Sequence, residues 1–431
     1  MATELNPVAA EQTGVSQKFT SLKQIVRNGF CIGCGLCAWA APKAEIQMRP
    51  NQQGHLRPVP TRPPTDVETQ TILALCPGVT VKRAAPEGRD VSRNPVWGDA
   101  LRVVRGHATD AGLRFRASSG GVMTAVNRHL LGAGEVAFVL QVIPHPDKPF
   151  GSVAAICRNQ TELDAAGGSR YGSCAPLLSL PEALALGEPF AVSLKPCDVA
   201  AIENLKRHDA RARRLIVFTQ AMFCGSVPGF NSTRIFFERR GIDLDKQQPV
   251  SFRWRGEGCP GPTRAVMPRG TVLSGTYREM WVDNPWTTQF RCKMCPDSIG
   301  LQADLAVGDD WQGGAPTGED DGWNTAIAHT ETGLRVLNAC EAAGAVQLCD
   351  VEVGHLDAVQ PHQVRLRRHL AARLAACKAA GLPVPDFTGL DLDECARDVG
   401  TEALEREYTG TLDRLRAGHG DEEQPADYGG A

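Results

Sequence analysis

The run Cys31-Ile-Gly-Cys34-Gly-Leu-Cys37 constrains this chain of 431 residues more than any other stretch. Three cysteines at C-x2-C-x2-C spacing wrap one corner of a cubane cluster, and the intervening glycines let backbone amides approach the sulfides. In two-cluster proteins the run continues x3-C-P, and that next cysteine serves the neighbouring cluster. Here those positions are Ala41-Pro42, so the neighbour's ligand is missing while the proline remains. The fourth ligand then has to come from a distant Cys-Pro, and Cys76-Pro77-Gly78 supplies one. The expectation is one [4Fe–4S] cluster on Cys31, Cys34, Cys37 and Cys76. The competing reading, zinc, prefers two paired C-x2-C knuckles and fits this spacing poorly.

Fifteen cysteines invite the question of disulfides. The stretch from Met1 to Thr20 is polar and does not read as a Sec-type signal peptide, and no run of 18 apolar residues follows. The expected location is therefore the cytoplasm, where thiols serve as ligands or catalysts more often than as cross-links. A net charge of -3 without a basic, aromatic-studded stripe argues against nucleic acid as a partner.

Four segments are expected. Residues 1–24 read as a flexible leader, and 25–96 as a small metal-organised domain with little periodicity. Within it Pro58–Pro64 reads as a loop, and Ala84–Pro95 reads as a linker. From 97 to 358 short apolar runs alternate with amphipathic segments, which favours an α/β core. Its strands are expected at 101–104, 135–143, 152–157, 190–194, 214–219, 304–308 and 326–329, with helices at 121–131, 198–206 and 332–343. The stretches 252–255 and 265–272 read as β-ribbon. Residues 361–381 read as a solvent-lapped helix, the rest of 359–431 as a helical extension with an acidic, disordered tail from Gly418.

A second group of cysteines is weaker by spacing. Cys292-Lys-Met-Cys295 alone suits a metal knuckle, a redox pair or ordinary thiols. Cys197 and Cys224 each follow an expected strand, where α/β folds place functional groups. Cys157, Cys340, Cys349, Cys377 and Cys395 read as ordinary thiols, with Cys174 and Cys259 intermediate. Arg116-Ala-Ser118-Ser119-Gly120-Gly121 precedes a helix and suits a phosphate or flavin, since glycines admit close approach and hydroxyls and Arg116 bond oxyanions. The plain alternative is a serine cap after a turn. Lys195, Asp198, Asp309, Asp310, Tyr171, Arg170 and Asn324 lie in segments that look chemical: Lys195-Pro-Cys-Asp198, Gly308-Asp-Asp-Trp311, Ser169-Arg-Tyr-Gly172 and Gly322-Trp-Asn324. Solvated turn acids are the alternative for the aspartates, and His129 reads as structural.

The ordered motifs CIGCGLC, CPG, SSGGV-x-T, SRYG, KPCD, FCG, GCPGP, CKMCPD, ADLAVGDDW and GWNTAI resemble the beta subunit family of coenzyme F420-reducing hydrogenase and dehydrogenase. That family includes the ferredoxin-dependent reductases of chlorophyll intermediates. The resemblance runs from about residue 28 to 382. It implies a ferredoxin-like N-terminal domain, an α/β domain binding FAD, and one or two [4Fe–4S] clusters. It also implies that Cys197, Cys224, Cys292 and Cys295 hold the second cluster, and that Ser118, Ser119, Gly120, Gly121 and Thr124 lie at the flavin. Ala41 departs from the two-cluster pattern, and the stretch after Leu382 has no counterpart.

The expected function is an iron–sulfur flavoprotein oxidoreductase. Electrons pass from a low-potential donor such as ferredoxin to FAD and on to a small organic substrate, with Lys195, Tyr171, Asp309 and Asp310 as proton donors. The alternatives are a non-catalytic electron-transfer subunit of a larger complex, an F420-dependent oxidoreductase, and a zinc-structured binding protein. A homo-oligomer is compatible with the sequence.

Overall fold

The computed structural model describes residues 18–83, 93–418 and 420. The expected leader up to residue 17, most of the linker, and nearly all of the tail lie outside the described residues. Leu22–Arg27 (α1) already forms a helix with Leu22 buried, so the expected leader ends earlier than residue 24.

The N-terminal part is built from Leu36–Ala40 (α2), the antiparallel pair Gln47–Pro50 (β1) and Leu56–Val59 (β2), and Asp66–Leu75 (α3). Pro58 lies in β2 opposite Met48, so the expected loop begins only beyond the strand. A two-stranded ribbon has edges on both sides, where a residue without an N–H is tolerated. Helix α3 opens with a capping box: Thr65 Oγ1 accepts from the Glu68 N–H, and the Glu68 carboxylate accepts from the Thr65 N–H.

The central part is an eight-stranded mixed sheet. Its strands are Arg102–Ala108 (β3), Phe138–Pro144 (β4), Ser152–Cys157 (β5), Phe190–Leu194 (β6), Ile216–Met222 (β7), Leu305–Asp309 (β11), Asn324–Ala328 (β12) and Val346–Asp350 (β13). A separate antiparallel ribbon holds Ser251–Arg253 (β8), Thr263–Val266 (β9) and Val272–Gly275 (β10). The order across the large sheet is β13-β3-β12-β11-β7-β6-β4-β5, with β11, β7, β6 and β4 parallel. Because β12 runs antiparallel to both β11 and β3, the C-terminal ends of β3, β11, β7, β6 and β4 share one edge. Ligands in open α/β sheets bind at that edge.

The strand expected from Arg214 starts two residues later, at Ile216. Ala210–Leu215 is a short helix instead, capped by the Asp209 carboxylate accepting from the Arg211 and Ala212 amides. The helices that matter for the site are Ala111–Arg116 (α4), Val122–Gly132 (α5), Pro196–His208 (α6) and Phe290–Lys293 (α7). Glu331–Ala342 (α8), Val353–Val359 (α9), Pro361–Ala379 (α10) and Thr401–Arg416 (α11) complete the set.

Helix α10 is not solvent-lapped as expected. Val364, Leu366, Arg367, Leu370, Ala376 and Cys377 are buried, because α11 packs on it and its apolar face joins the main core. That core is continuous: Ile25, Phe30 and Leu75 from the N-terminal part pack in one cluster with Phe138, Phe190, Leu194 and Val199, and with Leu370 and Leu390. Among the described residues no helix is long and apolar enough to cross a membrane.

Candidate redox site

Cys31 and Cys34 lie in the loop between α1 and α2, and Cys37 in the first turn of α2. Cys76 follows α3 directly, its N–H bonded to the Ile72 carbonyl at 2.9 Å. A side chain on Gly78 would collide with the Phe30 carbonyl, so only glycine lets the Cys-Pro-Gly turn lie against the segment entering Cys31. The four cysteines line one small cavity together with Leu22, Ile25, Ile32 and Leu75. The Gly33 N–H donates to Cys31 Sγ at 3.4 Å. Burial, reinforced by neighbouring sulfurs, raises the Cys34 and Cys37 thiols well above the ordinary range and Cys76 to about 12. Such thiols give up their protons to a bound cation rather than to water.

Cys197 stands in the first turn of α6 past β6, Cys224 past β7, Cys292 in α7 and Cys295 just after it. They line a second small cavity, with Ile32, Pro196 and Leu366. Cys292 Sγ accepts from the Val227 N–H at 3.3 Å and from Gln289 Nε2 at 3.4 Å. Burial raises Cys197 and Cys224, and takes Cys295 to about 11. Ile32 belongs to both cavity walls, so the quartets are adjacent. Lys195 Nζ and the Asp198 carboxylate form a buried ion pair at the same place. Burial opposes the Lys195 charge, but Asp198 outweighs it and holds the ammonium protonated. Asp198 bears on Cys34 in one quartet and on Cys197 and Cys224 in the other.

The donor set suits a polynuclear group. Each quartet lines a cavity, and its four candidate donors are all sulfur. Four sulfurs on one zinc would lie about 2.3 Å from the metal, whereas a cubane takes one thiolate per iron. Sulfur acceptors facing backbone amides in an apolar shell complete the match.

The residues named for a flavin and for proton transfer separate into three places. Lys195 and Asp198 belong with the cysteines. Tyr171 and Asp309 meet through Arg255, buried just beyond β8. Its guanidinium donates to the Asp309 carboxylate at 2.7 Å, the Tyr171 hydroxyl at 3.0 Å and the Ser118 carbonyl at 2.7 Å. Burial works against the Arg255 charge, and Asp309 more than restores it. Asp310 lies apart, between Arg105 Nε at 2.9 Å and His355 Nε2 at 2.7 Å. These three, with Trp311, Thr317 and Asp320, line a cavity of about 420 Å³.

The Ser118–Gly121 loop packs against the sheet edge. Ser119 Oγ donates to the Trp323 carbonyl at 2.6 Å, and Ser118 Oγ donates to the Arg255 carbonyl and accepts from the Ser169 N–H. A Cβ on Gly120 would stand 2.7 Å from the Asn324 nitrogen. The Asn324 side chain accepts from the Val122 N–H at 3.1 Å and donates to the Gly308 carbonyl. It therefore caps α5, the helix end that the sequence suggested for a phosphate. Arg116 is half exposed and pairs with Asp164 at 3.6 Å, and Thr124 is half-buried on the first turn of α5. The Arg170 guanidinium is engaged by Ser152 Oγ and by the Pro149 and Gly151 carbonyls of the β4–β5 connection.

Arg255, Arg105 and His355 went unrecognised in the sequence. Arg255 sits in an expected ribbon, and His355 in an unremarked helix; no spacing rule links either to Asp309 or Asp310. The other thiols divide as well. Cys174 is within the influence of Lys195, and Cys259 of Arg255 and Asp309; burial raises both to about 12. Cys157, Cys340, Cys377 and Cys395 are buried, and Cys349 is exposed.

Residues 103–181 match the family model described as coenzyme F420 hydrogenase/dehydrogenase, beta subunit N-term, and residues 187–353 match its C-terminus counterpart. The matched regions contain the second quartet and Arg255; the first quartet precedes them. The chain is 23% identical over 299 residues to the coenzyme F420 hydrogenase subunit beta of Methanothermobacter thermautotrophicus, covering 67% of this chain and 99% of that protein. It is 25% identical to the F420-dependent formate dehydrogenase subunit beta of Methanocaldococcus jannaschii, over 58% of this chain and 62% of that one. A chain of the F420-reducing [NiFe] hydrogenase complex from Methanosarcina barkeri is similar at 20% identity and TM-score 0.48, over 64% of this chain and 95% of that one. Between them the two models take in more than half of the sequence, and the chain belongs to the coenzyme F420 hydrogenase/dehydrogenase beta subunit family.

Proposed function

We propose that the chain is an iron–sulfur flavoprotein oxidoreductase that carries electrons between a low-potential donor, such as ferredoxin, and an organic substrate. The adjacency of the two cysteine quartets carries this reading: a single side chain, Ile32, stands in the wall of both. Clusters held there would supply single-electron steps, and a bound flavin would supply the conversion to two-electron chemistry.

The chain's own residues prepare the ground for both. Cysteines 31, 34, 37 and 76 would hold one cluster, and 197, 224, 292 and 295 the other. The Lys195–Asp198 pair is buried, and its charges act on thiols of both quartets. Arg255 pairs with the Asp309 carboxylate and fixes the Tyr171 hydroxyl by donating to it, which points the phenol proton away from the guanidinium. In the larger cavity, Asp310 orients the His355 imidazole by bonding Nε2, leaving Nδ1 for exchange with solvent or substrate. That arrangement suits proton delivery beside a redox reaction.

Anaerobic purification with iron, acid-labile sulfide and flavin measured together tests the reading. Brown-yellow protein with about eight irons per chain is expected for two cubanes. A colourless preparation without labile sulfide would sink it. The relatives are named as subunits, which favours a second reading: an electron-transfer subunit of a larger hydrogenase- or dehydrogenase-like complex, with F420 as its partner coenzyme. Turnover by the isolated chain with a chemical reductant supports the first reading; activity only after a co-purifying partner is restored supports the second.

A further inference from the structure

A fully buried arginine stands between the two cysteine quartets. Arg291, in α7, is 2% exposed. Nη2 donates to the Pro77 carbonyl at 2.9 Å, directly after Cys76, and Nη1 donates to the Met294 carbonyl at 3.0 Å, directly before Cys295. Its side chain also lines the second cavity. One guanidinium therefore ties a ligand loop of each quartet.

No carboxylate pairs with this group among the described residues. Its hydrogen bonds go to neutral carbonyls, the Phe387 ring lies 5.3 Å from its guanidinium carbon, and Nε has no partner among the described residues. Asp297, on the loop after Cys295, lines the same cavity, and its carboxylate accepts from the amides of Ile299, Gly300 and Leu301 rather than from the guanidinium. A buried charge without a paired counter-ion is costly, and a nearby anion offsets that cost. Four thiolates around an iron–sulfur cubane make such an anion, and Arg291 has one on each side.

We propose that Arg291 is an electrostatic bridge shared by the two clusters: a single cation, anchored to both ligand loops, that raises the reduction potential of both. It is a positioning residue, since it touches neither substrate nor sulfur. The proposal rests on the reading of the quartets as cluster ligands. Its physical content is simple: reduction adds negative charge, a nearby buried cation favours that charge, and removing the cation lowers the potential.

The test is a redox titration of the full chain, purified without oxygen, followed by electron paramagnetic resonance, with iron and sulfide measured on the same samples. In Arg291→Gln both midpoints are expected to move to more negative values with iron retained. Full iron with neither midpoint moved, or only one, overturns the proposal. Should Arg291→Gln lose iron, Arg291→Lys decides. Lysine keeps the charge but cannot fork to both carbonyls, so retained iron with both wild-type midpoints supports an electrostatic role. Lost iron or displaced midpoints in the lysine variant overturn it in favour of a structural tie. Iron-free wild-type protein removes the cluster reading itself, whereas iron-replete wild type with adverse variants removes this inference alone.

Discussion

At the scale of single residues, the cysteines differ from one another in what surrounds them rather than in chemistry. Cys76 and Cys197 are half-buried among other thiols, while Cys340 and Cys377 are buried in apolar surroundings. Cys76→Ala is expected to remove about four irons per chain and leave the second cluster, and Cys197→Ala the reverse; iron and sulfide assays on each variant check this. Unchanged iron in either would dissociate that cysteine from its quartet. A different residue-scale effect concerns two buried histidines. Burial, with Arg57 adding, lowers His55 to about 4, and burial lowers His329 to about 4. Neither His55 ring nitrogen has a partner. In the unfolded chain such rings take up protons near pH 6.5, but in the fold only near 4. Stability is therefore complete above about pH 6.5 and falls as the pH drops towards 4, by about 3 kcal/mol for each ring. Melting temperatures between pH 7.5 and 4.5 should show that slope, and His55→Leu should flatten part of it.

At the scale of elements, capping decides where a ligand falls. The Thr65/Glu68 box fixes the first turn of α3, and Glu68 also accepts from the Lys43 N–H at 2.8 Å. Because Cys76 follows the last turn of the same helix, the box also sets the direction from which that sulfur arrives. Thr65→Ala is expected to cost about 1 kcal/mol and Thr65→Ser almost nothing, read as a shift in denaturation midpoint. Helix α10 offers a sharper case. Arg367, 1% exposed, donates to the carbonyls of Pro296, Pro95 and Leu390. It joins the second cysteine loop to the segments on either side of it. Arg367→Met leaves the Pro296 and Leu390 carbonyls without their donor and the Pro95 carbonyl with the Cys395 thiol alone, and a loss of about 2–4 kcal/mol is expected, seen in denaturant titration. An unchanged midpoint would mean water takes over those carbonyls.

For the whole molecule, one core reaches from α1 to the C-terminal helices, and both cysteine cavities open within it. A chain beginning at residue 97 would uncover the face of α6 against which α3 packs. Such a fragment is expected to aggregate, and thermal unfolding of the intact chain should coincide with release of iron from both quartets. Independent melting of an N-terminal domain, seen by calorimetry, would contradict the shared core.

How much of this was legible beforehand follows from the range of the interactions. The C-x2-C-x2-C run, the Cys-Pro-Gly turn, the strands at 152–157 and 190–194 and the helix over 122–132 are written in local spacing and periodicity, because neighbouring residues alone decide them. Pro58 in a strand and the burial of α10 were not, since each depends on a partner element far along the chain. The same holds for the site. Ser118, Asp309 and Tyr171 could be named as polar residues near strand ends, but nothing local shows that Arg255 gathers all three. Nor does local sequence show that Asn324 closes the helix end at Gly121. The sequence by itself determined where the cysteines cluster along the chain and the family to which it belongs. Only the tertiary structure decided that two sets of thiols share a wall and a buried arginine, because charge and burial act through space and take no account of order along the chain.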